Sequence, residues 1–271
     1  MMRLGMYVYG LMAITAGAVD LVWGGLDPDH QPIQAWGDNV PGHVIIGYIL
    51  AVALVAGGAA MLRPRSARLG AGIVGFVYLA FTFFWLPRFY TAPAILGHTA
   101  PVYLGILAGF CSEIVVAAAA VFVIAAASAN GSPWLSRVAT ASRLIFGLSS
   151  ICFGLNHLAA IQANLIYVPH WMPFGRAFWV AFTGIAFILA GIAILSGVLD
   201  VLAARLLALM WLTISAVTLI PGLIAEPHDQ VNWGGNAFNI LVAASAWILA
   251  EWLASRKEPA QAKQEMRPSG A

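Results

Sequence analysis

The residues able to do chemistry in this chain gather at one end of its apolar stretches. All six histidines, His30, His43, His98, His157, His170 and His228, fall at or near the same set of helix ends. Six of the eleven acids lie there too, counting Asp20. His157 and Asn156 sit less than two turns from such an end. Ser149, Cys152 and Asn156 follow spacings of three and four, which puts them on one helix face. A polar stripe is costly against lipid, so it is expected to face the bundle. Asp20 and Glu113 are acids inside apolar stretches. A carboxylate there is unfavourable by about 3 kcal/mol unless hydrated or paired, so it is a functional-site hypothesis by default. Glu113 lies near mid-stretch and is expected either neutral or paired with Ser112, Ser149 or Ser150. The candidate ligand or proton site is therefore His157, Asn156, Asp20, His170 and Glu113, in the outer half of the membrane. The plainer alternative is a histidine satisfied by a neighbour, an aspartate reaching water and a neutral glutamic acid.

Composition decides what must position these residues. Of 271 residues, 61% are hydrophobic and 9% are charged, against roughly 25% charged in soluble domains. Lipid must cover much of this surface. Eight stretches reach the roughly 20 residues that span a bilayer: about 5–25, 43–62, 69–87, 100–127, 140–162, 176–197, 201–223 and 235–254. They are long and continuously apolar, without two-residue alternation, so they read as helices and not as barrel strands. The expected fold is an all-α membrane protein of eight transmembrane helices. If the spans alternate in direction, eleven of the thirteen Lys and Arg lie on one side, and only Arg88 and Arg176 on the other. The richer side is cytoplasmic by the positive-inside rule, which puts both termini there.

Several functions are excluded or unsupported. No basic cluster is interleaved with aromatics, so no nucleic-acid partner is expected. There is no phosphate-binding glycine loop, no His-Glu-x-x-His and no Gly-x-Ser-x-Gly elbow. The histidines form no ligand pair on one helix, and no metal is expected. Two meeting across the outer face would be the only route to haem or copper. The first span is expected to be retained and not cleaved as a signal peptide. Cys111 and Cys152 sit in spans four and five at similar depths and read as buried small hydrophobes.

The chain also repeats. Gly10, Gly17 and Leu21 match Gly147, Gly154 and Leu158 at a constant offset, which places Asp20 where His157 stands. Leu54-Val55-Ala56-Gly57 resembles Ile188-Leu189-Ala190-Gly191, Ala67-Arg68-Leu69 matches Ala204-Arg205-Leu206, and Pro87 and Pro93 match Pro221 and Pro227. The expected organisation is two parallel four-helix repeats, 1–127 and 139–255. A cytoplasmic linker over 128–138 joins them, and a disordered tail over 256–271 follows. A pseudo-twofold axis would bring Asp20 and His157 towards each other.

The second repeat carries a family pattern: Gly147, Gly154, His157-Leu158, Val168-Pro169, Trp171, Pro173, Trp179, Thr183-Gly184 and Ala190-Gly191, then Pro221 and Trp233 to Leu241. It resembles the DoxX-like membrane protein family, with the first half a divergent second copy. The resemblance implies a doubled four-helix unit in the bacterial inner membrane. It also implies a lean towards redox work, because some relatives are small subunits of thiosulfate:quinone oxidoreductases. Others stand beside oxidative-stress or amine-oxidation systems. Three functions fit. One is an accessory subunit of a quinone-linked redox system, with a quinone pocket among spans four to six and a membrane-associated oxidoreductase as partner. The others are a transporter of a small molecule or proton, though no broken helix is evident, and a scaffold for partner proteins.

The charge bias makes a topological prediction. A single cysteine placed in 228–232 is expected to react with an impermeant thiol reagent on intact cells, and one in 64–67 is not. The reverse pattern would overturn the orientation.

Overall fold

Lipid offers no hydrogen bonds, so each apolar run must satisfy its backbone internally, and a helix does this within one segment. The computed structural model describes residues 4–30, 42–128 and 132–265; of Asp29 and 258–265 it describes the backbone alone. In chain order the helices are α1 (Leu4–Trp23), α2 (His43–Met61), α3 (Ala67–Phe84), the short α4 (Arg88–Leu96), α5 (Ala100–Ala126) and α6 (Pro133–Ala159). There follow a single turn α7 (Ile161–Asn164), α8 (Arg176–Ser196), α9 (Asp200–Ile214), the short α10 (Ile220–Ala225) and α11 (Gln230–Glu265). There is no strand among the described residues. Eight helices are long and apolar enough to cross a membrane, α9 and α10 counting together as one. This is the build of a multi-pass membrane protein.

Two boundaries differ from the sequence reading. The expected linker is shorter, because α6 already starts at Pro133, with Ser132 before it and proline at the position helices favour. The backbone of α11 runs to Glu265, past the expected start of the tail at 256. Its Lys, Glu, Gln and Ala are good helix formers. Residues 266–271, and Trp36 and Asp38 between α1 and α2, lie outside the described residues.

The spans pack as a closed ring: α1 on α2, α2 on α3, α3 on α5, α5 on α6, α6 on α8, α8 on α9, α9 on α11, and α11 back on α1. Within the ring α5 also touches α11. Glycines set the tightest crossings. A Cβ on Gly154 would overlap the Gly184 carbonyl, and one on Gly191 would come within 2.6 Å of the Gly147 carbonyl. The α1–α2 crossing is built alike, with Gly17 against the Ala51 carbonyl and Gly58 against the Gly10 carbonyl. Hence Gly58, not Gly57, does against α1 what Gly191 does against α6. The match through Gly57 is one residue out of register, because Gly57 faces Ile73 and Val74 of α3. At the end of the bundle away from the histidines, Lys257 donates to Asp200 at 2.5 Å. Arg143 donates to the Ile194 carbonyl that ends α8.

Because Gly154 meets backbone, Gly154→Val should lower stability by about 1–3 kcal/mol through overpacking. Gly72→Ala should be neutral or mildly stabilising, since nothing lies within 4 Å of its added Cβ. Thermal unfolding in detergent micelles compares the two.

Candidate functional site

The structure divides the five candidate residues between two sites and two other places. The first site forms where α1 ends. The Gly25 amide closes the helix on the Asp20 carbonyl at 3.1 Å, and Gly24 turns the chain with φ of 75°. The loop folds back so that the Asp27 amide donates to Asp20 Oδ1 at 2.9 Å. A single 3-10 turn over Pro28–His30 then carries His30 into the bundle. Its ring stacks on Phe81 at 4.4 Å and meets Tyr78 and Phe238 edge-on at 5.8 and 5.4 Å. Its Nδ1 lies 3.0 Å from Glu113 Oε1 on α5.

Neighbouring elements fasten this loop. Arg88 of α4 donates to the Pro28 carbonyl at 2.9 Å while its guanidinium lies 3.9 Å over Trp85. Gln230 of α11 donates to the Gly25 carbonyl at 2.9 Å and to Asp20 Oδ1 at 3.4 Å. The Asp27 carboxylate packs on Gly234 of α11 so closely that a Cβ there would collide with it. Asp20, Asp27 and His30 are each 3% exposed and Glu113 is 1% exposed. Burial alone would pull the His30 imidazole down. The Glu113 carboxylate, helped by Asp27 and Asp20, overcomes this and holds it up at about 10. His30 is thus an imidazolium donating to Glu113.

The second site is a cavity of about 600 Å³ among α6, α8, α9 and α11. His157 reaches it from the end of α6. Its Nδ1 is 2.8 Å from the Phe153 carbonyl, an acceptor only, so Nδ1 carries the proton. In the neutral ring Nε2 is then the acceptor left for the cavity. Phe153, Phe187 and Trp211 pack against one another at 5.3–5.6 Å behind it. Val180, Phe182, Leu206, Leu209 and Met210 make the walls apolar, and Thr183, Thr218 and Asn239 add polar points.

One side of the cavity is irregular. Between α9 and α10 the helix widens into a π turn over Ser215–Leu219, with Pro221 just beyond. Asn239 donates to the Trp211 carbonyl and to Ser215 Oγ, both at 2.7 Å, and so secures the distortion. Such π turns gather at functional positions. The span stays continuous through this turn, so the helix is distorted and not broken.

Asp20 and Glu113 therefore belong to the first site and His157 to the second. The expected meeting of Asp20 with His157 is replaced by bonds to Asp27 and Gln230 on one side and to Phe153 on the other. Asn156 faces Gly105 of α5, and His170 is exposed in the elbow before α8. Glu113 pairs with His30 and not with a serine. Ser112 bonds the Gly109 carbonyl and Ser150 the Phe146 carbonyl. Ser149 and Cys152 face Cys111 across the α5–α6 contact. His30, Asp27, Tyr78 and Asn239 were missed as site residues. One signal was present: Asp20, Asp27 and His30 stand at the same offset from His157, Asn164 and Tyr167 as Gly17 does from Gly154. Among the described residues no group of three or more His, Cys, Asp or Glu could hold a metal ion.

Breaking the buried pair by His30→Ala or Glu113→Ala should cost about 3–5 kcal/mol, because a charge is left alone. The double change His30→Phe with Glu113→Leu should recover most of that loss. Unfolding midpoints of the three variants provide the check.

No protein-family model matches this chain, and no match was found among curated proteins or among solved structures.

Proposed function

We propose that this chain is a DoxX-like membrane protein of two parallel four-helix repeats, with both termini cytoplasmic. In this reading it serves a membrane redox system as an accessory subunit that holds a quinone-class ligand in its second repeat. The observation that carries the reading is the cavity among α6, α8, α9 and α11. A quinone head group is flat, apolar over most of its area and polar at two opposite oxygens. Apolar walls with a few polar points suit it. His157 offers Nε2 as an acceptor for a quinol hydroxyl, and Trp211 and Phe182 offer flat apolar faces. Leu206 and Leu209 line the cavity and are also 53% and 59% exposed, so it borders the surface that lipid covers. A lipid-soluble ligand could enter from there without crossing water. The repeat reading gains support from the ring order, in which each contact of the first four spans has a counterpart four spans later.

Transport of a small molecule is the second reading, and the π turn beside the cavity favours it. Such turns gather at functional positions, and this one lies in the wall of the cavity.

The test is titration of the protein, in lipid nanodiscs, with a short-chain benzoquinone, followed by tryptophan fluorescence. Saturable quenching is expected, with affinity weakened about tenfold or more in His157→Phe and in Thr183→Phe. Quenching that never saturates, or that is unchanged in both variants, would overturn the reading. Flux into proteoliposomes would speak for the second reading.

A further inference from the structure

A groove of about 760 Å³ runs along the first four spans. Helix α2 lines it with Ile49 and Ala53, α3 with Leu69, Ile73 and Phe76, and α5 with Ile124. Ile49, Leu69 and Phe76 are 61%, 66% and 70% exposed, so the groove opens on the surface that lipid covers. Gly72 stands in the same stripe of α3, three residues after Leu69 and four before Phe76. It leaves a notch, because nothing lies within 4 Å of a Cβ built there.

The groove is apolar except at one end, where Arg65 and Arg68 line it. Arg65 stands in the short turn between α2 and α3, and Arg68 in the first turn of α3. That turn is pinned. Ser66 Oγ donates to the Ala60 carbonyl at 2.8 Å, and the Ser66 amide to the Arg63 carbonyl at 3.1 Å. Neither guanidinium has a hydrogen bond or an ion pair among the described residues. The acids whose side chains are described at this end are engaged elsewhere. Asp200 holds Lys257 and Arg143, and Glu251 accepts from the Trp247 indole. Two unpaired positive charges at the end of an apolar groove suit a ligand with a negative head and a hydrocarbon tail.

The depth of the groove agrees. Val77 is its farthest residue along α3 from Arg68. Between them the helix rises roughly 14 Å, at about 1.5 Å per residue. Half of the hydrocarbon core is roughly 15 Å. The groove is therefore one leaflet deep, with its charged end at the level of the head groups.

We propose that this groove binds one anionic phospholipid of the leaflet at that end. Arg65 and Arg68 hold its phosphate, and an acyl chain lies along α2, α3 and α5 over the notch at Gly72. Guanidinium groups pair with phosphate through parallel hydrogen bonds, and basic pockets between membrane helices take such head groups. A second copy packed here about an axis along the membrane normal would set the same arginines against each other, and like charges resist this. In the proposed orientation the leaflet is the cytoplasmic one. None of this depends on what the second-half cavity binds.

The test is native mass spectrometry of the full-length protein, released from detergent micelles that contain phosphatidylglycerol or phosphatidylcholine with the same acyl chains. One phosphatidylglycerol is expected to stay bound, with affinity about tenfold above that of phosphatidylcholine. The preference should fall to near parity in the double change Arg65→Gln with Arg68→Gln. It should persist in Arg205→Gln, at the matching place in α9. Gly72→Phe, which fills the notch, should weaken phosphatidylglycerol binding about tenfold. Glycerol phosphate, a head without chains, should not displace the lipid; displacement would mark a site for a free anion and overturn the proposal. Equal binding of the two lipids by the unsubstituted protein would overturn it, as would unchanged binding in both the arginine and Gly72 variants. A dimer that forms without lipid and is lost in Gly72→Phe would do the same, since the occupant would then be a second copy. The comparison of the two lipids uses the unsubstituted protein, so poor folding of a variant does not remove the test.

Discussion

A carboxylate buried in the middle of a membrane helix must find a partner, and Glu113 finds His30. Nothing on α5 itself offers a cation, so the partner comes from the chain between α1 and α2. That chain must fold inward, which requires the tight turn at Gly24 and Gly25 and the single 3-10 turn after it. Folding inward buries Asp27 as well, and α11 makes room with Gly234, where a side chain would strike the carboxylate. Gln230 and Arg88 then satisfy the loop carbonyls of Gly25 and Pro28. Remove the ion pair and each of these adjustments loses its reason. Pairs of this kind are poor stabilisers relative to a well-packed apolar core. Stability is a weak explanation for keeping one, and chemistry is the stronger one.

On the repeat reading, the two halves treat the same place differently. Taken at the offset that aligns Gly17 with Gly154, the first half puts Asp20, Asp27 and His30 where the second puts His157, Asn164 and Tyr167. Each triad includes one residue of a 3-10 turn, His30 in one and Tyr167 in the other. His30 turns inward and is covered by Phe81, Tyr78 and Phe238. Tyr167 stays 55% exposed at the rim, and a cavity remains. A histidine with an acid facing it gains by entering the bundle. A tyrosine whose hydroxyl can reach the interface gains by staying there. On the repeat reading, one duplicated site has become an ionic cluster and the other an apolar pocket.

The eight spans were legible because a long apolar run is a local signal, and a helix is the only way such a run satisfies its backbone in lipid. The close crossings were legible in kind from the glycines. Their register through α2 was not, since Gly57 and Gly58 are adjacent and only packing distinguishes them. Asp20, Glu113 and His157 stood out because each is polar within an apolar span. The side chains that meet two of them did not, because those lie far along the chain: Gln230 for Asp20, and His30 for Glu113. The π turn after Ile214 left only Pro221 as a trace, and a proline near a span's end is ordinary. Pairing Asp20 with His157 relied on symmetry alone, and local hydrogen bonding overrode it on both sides.

The ionic cluster and the pocket make opposite demands on their surroundings, and α11 answers both. The cluster is tolerable only where lipid and ligand are kept out, since its ion pair needs fixed donors and tight walls. The pocket is useful only if it borders lipid. A single helix stands between them. On one side α11 presents Gln230, Gly234 and Phe238 to the cluster, and on the other Asn239 holds the π turn beside the pocket. This accounts for a feature that hydropathy alone leaves odd. The most buried span of the bundle, 72% over its apolar window, begins with Gln230, Asn232, Asn236 and Asn239. Two of these amides, Gln230 and Asn239, answer polar groups on the helix's two flanks. Asn232 gives its amide to the Glu226 carbonyl and Asn236 to the Asn232 carbonyl, so the amides also secure the helix's own start. The first third of α11 is polar because it is the shared wall of two sites, and the stretch from Ile240 to Ala250 is mostly apolar because it is core.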